Sequence, residues 1–258
     1  MKRAFKDEAM KKNRMVARVV AVFAIIGSMC GGCSLHNPKP YGDERQLFLP
    51  GQRELVFAVA PTENVSGESQ VDPLLNSDLV FAELQRVHGL TVIPVDRVAE
   101  VYASLKIDKV ETEAQAFEIC DDLGCDGLII PTVTAYDPYD PPKVGGSLQL
   151  FLKPGSGWQQ PRLDPHELDR APRPTADTPM TPQWLVQVVG MFDANDGTVR
   201  DRIHAYEAGR YDPNGPLGDK EMYVSMDRYC SFVYHELIAQ LLEQIRPALN
   251  PPPAVAGT

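Results

Sequence analysis

The chain has 258 residues with 25 Lys and Arg against 35 Asp and Glu, a net charge of −10, and it grows more acidic still once the basic residues near its start are set aside. That balance excludes nucleic acid as a partner, since phosphate backbones are repelled at long range and no basic stripe offsets the repulsion. The length suffices for one generous domain that buries a core without staples.

In chain order, Lys11, Lys12, Arg14 and Arg18 precede an apolar run from Val19 to Met29, closed by Gly31, Gly32 and Cys33. As a helix the run is about 17 Å long against a hydrocarbon core of about 30 Å, so it is read as a signal peptide over 1–32 that is cut, not as a span. Two small residues directly before a cysteine resemble the lipobox of bacterial lipoproteins, although the leucine usual three positions earlier is Cys30 here. The resemblance implies a lipid on Cys33, which becomes the mature amino terminus and the contact with the membrane. Ser34 after it implies sorting to the outer membrane, facing the periplasm. The same residues admit an ordinary cleaved signal or an uncleaved anchor.

Residues 33–53 hold Pro38, Pro40, Gly42 and no sustained apolar period, and are read as a tether. An α/β domain is expected over 54–247. Leu55 to Ala60 reads as a buried strand, about Asp72 to Val87 as a helix stopped by Gly89, and Leu90 to Val95 as a second strand. From Asp96 a helix carries Val98, Val101, Tyr102 and Leu105 on one face. The next helix has capping-box spacing at Thr112 and Gln115, an apolar face of Ala116, Ile119, Cys120 and Leu123, and Gly124 where a left-handed residue is wanted. Gly127 to Val133 reads as a strand whose Pro131 places it near a sheet edge or at a bulge.

Seven prolines between Pro154 and Pro182 mark an irregular insertion over 153–182. Trp184 to Phe192 and Thr198 to Ala205 read as two strands of a hairpin turning at Asp193 to Gly197. An amphipathic helix from Lys220 to Ile245 presents Tyr223, Met226, Cys230, Val233, Leu237 and Leu241, and residues 248–258 are read as a disordered tail. The fold class is thus α/β (α+β-like), a single domain with a mixed sheet flanked by helices.

Beyond the leader, Cys120, Cys125 and Cys230 are an odd number and no disulfide framework. Cys120 and Cys125 flank a helix end and are near enough to pair in an oxidising compartment, or are small apolar core residues. His36, His88, His166, His204 and His235 are scattered, with no metal-binding interval. Gly155, Ser156 and Gly157 lack the spacing of a nucleophile elbow, and Asp193, Asn195 and Gly197 lack the closing glutamate of a calcium loop. No catalytic residue, metal or cofactor is therefore expected. Tyr136, Asp137, Tyr139 and Asp140, spaced by prolines at a strand exit, are the candidate partner-binding residues, because tyrosine gives large contact area at low entropy cost. Equally, these tyrosines pin their loop to the domain.

Ala58 to Gly67, reading AVAPTENVSG, and Leu123 to Ile129, reading LGCDGLI, resemble a bacterial envelope superfamily that includes the Tol-Pal translocation protein amino-terminal domain, the curli secretion lipoprotein and lipoprotein activators of penicillin-binding proteins. The Asp193 to Val199 turn is similar to the turn before that family's late strand. The resemblance implies a non-enzymatic cell-envelope lipoprotein that binds, regulates or assembles an envelope, secretion or cell-wall complex. Its alternative implication is a homo-oligomeric subunit of a ring or pore-like secretion complex.

Overall fold

A computed structural model describes residues 46–49, 54–153, 185–211 and 215–249. The leader, Cys33, most of the tether, the insertion beyond Lys153 and the tail from residue 250 lie outside the described residues.

The strands are β1 (Leu47–Phe48), β2 (Leu55–Val59), β3 (Glu63–Asn64), β4 (Val87–His88), β5 (Leu90–Ile93), β6 (Gly127–Asp137), β7 (Lys143–Leu152) and β8 (Leu185–Asp193). The helices are α1 (Pro73–Leu84), α2 (Val95–Leu105), α3 (Glu113–Leu123), α4 (Gly197–Glu207), α5 (Glu221–Val224) and α6 (Met226–Leu249). The main sheet runs β5-β2-β6-β7-β8, with β3 beside β6. β2 is parallel to β5 and β6, and β7 is antiparallel to both its neighbours, so the sheet is mixed as expected.

The chain steps outward from β2 to β5 through α1 and returns past β2 to β6 through α2 and α3. Right-handed crossovers in opposite directions put their helices on opposite faces. Accordingly Val80 and Leu84 of α1 join Phe57, Ile129, Leu148 and the apolar face of α6 in one core. Val98 and Tyr102 of α2 and Ala116, Ile119 and Cys120 of α3 join Ala58, Leu128 and Ile130 in the other.

Asp72 caps α1, its Oδ1 accepting from the Leu74 and Leu75 N–H groups at 2.9 and 3.2 Å, with Pro73 in the first turn. α1 stops at Leu84, short of the expected Val87, because Val87 and His88 pair in parallel with Leu47 and Phe48. Leu47 and Phe48, within the stretch read as tether, are thus paired with the domain, and Leu49 is buried. The capping box on α3 forms as the spacing predicts.

Pro131 lies in the middle of the sheet, not at an edge. The Ile129 and Val133 carbonyls accept from Ala60 and Val65, both at 2.9 Å, so by alternation the Pro131 nitrogen faces the same side. β2 has ended there and β3 has not begun, and the missing donor breaks no ladder bond. The bulge lies further on: Val133 pairs with Gly146 and Ala135 with Gly145, leaving Thr134 as the extra residue. Its hydroxyl fills the space beside Gly145, where a Cβ would approach to 2.7 Å.

Two sequence expectations are corrected. The second half of the expected hairpin is helix α4: Asp196 caps it by accepting from the Thr198 N–H at 2.7 Å, and Val199, Ile203 and Tyr206 recur at helical spacing toward the core. The expected single closing helix is two, broken at Ser225, whose backbone is extended. α6 lies close against the sheet because the paired Gly146 and Gly190 present no side chain to Leu237.

Candidate functional site

The β6–β7 hairpin carries the four residues read as partner-binding, and the structure divides them. Tyr136 turns inward against the core beneath α6. Burial, helped by Cys230 and Asp227, pushes its phenol up to about 12. Asp137 accepts the Tyr139 N–H on Oδ1 at 3.2 Å, an Asx turn that sets the loop. Tyr139 is 77% exposed, and Asp140 beside it is exposed and joined to Pro141 by a cis peptide bond. The hairpin base is fixed to the β8–α4 turn: the Ala194 N–H donates to the Pro142 carbonyl at 3.0 Å, and Lys143 Nζ lies 3.7 Å from Asp193 Oδ2. A single tyrosine is therefore held out on a braced tip.

A second constellation escapes sequence reasoning. Glu83 of α1 is 3% exposed. The Tyr206 hydroxyl of α4 donates to its Oε1 at 2.8 Å, and Arg210 Nη1 and His235 Nδ1 lie 3.2 and 3.3 Å from Oε2. The Arg210 guanidinium also stacks over the Tyr206 ring, 4.1 Å from its centroid. Burial alone raises the Glu83 carboxyl, but the bonds from His235 and Tyr206 and the charges of Arg210 and Arg86 outweigh it and hold the group below the usual carboxylate value.

Beside this cluster is a cavity of about 230 Å³ lined by Gln46, Gln85, Arg86, His88, Arg210 and His235. The Glu83 oxygens are occupied by donors from α4, α6 and the turn after α4, so the carboxylate ties helices together and has no face for a substrate. Its polar partners recur along the same seam, where the Tyr234 hydroxyl donates to Asn76 Oδ1 at 2.7 Å. The sequence signal is the row Asn76, Ser77 and Glu83 on the buried side of α1. Among the described residues no group of His, Cys, Asp and Glu is arranged to hold a metal, and no helix is long and apolar enough to cross a membrane.

No family model matches the chain, and no curated protein matches it. Among solved structures it is similar to the LpoB C-terminal domain from Salmonella enterica, at 15% identity and a TM-score of 0.33 over 43% of this chain and 76% of that one. It is also similar to lipoprotein GNA1162 from Neisseria meningitidis, at 16% identity and a TM-score of 0.36 over 58% of this chain and 92% of the other. A third neighbour is the PelC dodecamer from Paraburkholderia phytofirmans, at 11% identity and a TM-score of 0.34 over 79% and 95%.

Proposed function

We propose that this chain is a non-enzymatic lipoprotein of the bacterial cell envelope, anchored through Cys33 in the outer membrane and facing the periplasm, whose domain binds an envelope protein and regulates or assembles a secretion or cell-wall complex. The observation that carries the reading is Tyr139, a large side chain left uncovered on a hairpin tip that Asp137 and Tyr136 fix from below. A pre-ordered aromatic contact loses little entropy on docking. Tyr139 and Asp140 make the contact in this reading, while Tyr136 and Asp137 position them.

Crosslinking in intact cells followed by affinity capture tests it. Tyr139→Ala with Asp140→Ala is expected to weaken capture of the partner by about 30-fold, the loss of one interface anchor, with the melting temperature unchanged. Undiminished capture removes the docking assignment. In the same cells a palmitate analogue is expected to label the wild-type chain and not Cys33→Ala, and an unlabelled wild-type chain removes the anchor.

One observation favours the alternative, a self-assembling ring. β8 is an edge strand of the described sheet and exposes Val189 and Met191. Light scattering of the detergent-solubilised chain decides, since a monomer ends that reading.

A further inference from the structure

We propose that Cys120 and Cys125 are joined as an intramolecular disulfide that locks the end of α3 to the start of β6. The inference rests on the export to an oxidising compartment proposed above.

The backbone makes the pairing geometric. At the end of α3 the Gly124 N–H donates to the Asp121 carbonyl at 3.3 Å, and the Cys125 N–H to the Cys120 carbonyl at 3.0 Å, with Gly124 left-handed at φ +66°. Those two bonds define a Schellman turn, a motif that commonly brings together the side chains of the two residues joined by the bond spanning more of the chain, here Cys120 and Cys125. In most helices that contact is between two apolar side chains; here both are thiols. Both are buried and reduced in the structure. They lie in the core under α2 and α3, whereas Cys230 lies in the core on the opposite face of the sheet and cannot compete for either.

In the folded chain the two thiols share a hydrogen bond, which places their sulfurs side by side. That bond from the Cys120 thiol, with further bonds from backbone N–H groups, lowers Cys125 despite its burial, while Cys120 is pushed up. In the exchange that forms the disulfide either thiolate can react first. With Cys125 first, its thiolate attacks the disulfide of a dithiol oxidase or of oxidised glutathione, breaking that bond and releasing one thiolate. Cys120 then gives its proton to solvent and attacks the Cys125 sulfur, expelling the second oxidant thiolate. Two protons and two electrons leave the pair, and the oxidant becomes two thiols. Exchange precedes docking of α3, since the folded chain covers both sulfurs.

The full chain, extracted from the envelope in detergent without reductant, is denatured, alkylated and mapped. Cys120 and Cys125 are expected in one linked peptide, two hydrogens lighter and unalkylated, with Cys230 alkylated. Reductant is expected to lower the melting temperature of the wild type by roughly 5 °C and to leave Cys120→Ser/Cys125→Ser unmoved. In parallel, the reduced full chain is refolded in a glutathione redox buffer. Thiols that stay free in that buffer overturn the disulfide wherever the chain resides. A pair that oxidises in the buffer but is recovered reduced from cells overturns the export reading instead.

Discussion

Replacing Glu83 with Ala is expected to lower the stability of the domain by about 3–5 kcal/mol, measured by denaturant unfolding. The substitution removes the carboxylate that pairs with Arg210 and His235, whose side chains are almost fully buried, and it leaves the buried Tyr206 hydroxyl without its acceptor. Removing one member of a buried charged cluster costs far more than the cluster contributes against an apolar replacement, because the remaining charge keeps its desolvation penalty. Glu83→Gln, which keeps the shape and an acceptor oxygen, is expected to fall between Glu83→Ala and the wild type. The Glu83 carboxyl is held below its unfolded value, near pH 4.3, so its contribution is complete above that pH and is lost as the pH falls through the lower folded value. The stability gap between wild type and Glu83→Gln is therefore expected to close on acidification below about pH 4. A loss under about 1 kcal/mol for Glu83→Ala contradicts the keystone role.

The second large effect is steric. A Cβ built on Gly190 would lie 2.6 Å from Phe192 Cε2 and 3.2 Å from Leu237 Cδ2. The Phe192 ring cannot swing aside, because it is buried and packs edge-on against Phe232 with centroids 5.7 Å apart. Gly190→Ala is expected to cost about 1–3 kcal/mol through overpacking. Leu237→Ala alone is expected to cost about 2–5 kcal/mol, since it empties the seam between α6 and the sheet. Combined, the two are expected to cost less than their sum, because the space one removes is the space the other fills. Strict additivity in the double-mutant cycle contradicts the account of why glycines pair at this point.

Where local chemistry was decisive, the sequence was legible. Thr112, Gln115 and Gly124 fixed α3 because a capping box and a left-handed stop act within a few residues. Misreadings arose where one motif serves two structures. Asp193 to Gly197 has the composition of a hairpin turn, but Asp196 is equally a helix cap, and the spacing of Val199, Ile203 and Tyr206 decides for α4 over the β-branched character of Thr198 and Val199. Pro131 argued for an edge because a single strand does not reveal that its two neighbours leave a gap. The Glu83 cluster was invisible for a further reason: Tyr206 and Arg210 stand 123 and 127 residues from Glu83, and no periodicity links them. At the hairpin tip the composition identified the loop, but not which tyrosine faces outward.

That choice is made by Thr134. Before it, Ile129 points to the core beneath α6, and after it the parity reverses, so that Tyr136 points there with Val144 as its cross-strand neighbour. Along an uninterrupted ladder an odd and an even position could not share that face. The molecule's outward signature at this end is thus a matter of reading frame: with Thr134 set aside as the extra residue the ladder turns Tyr136 to the core, whereas a ladder running on through Thr134 would turn that ring to the other face while leaving every letter of the tip unchanged.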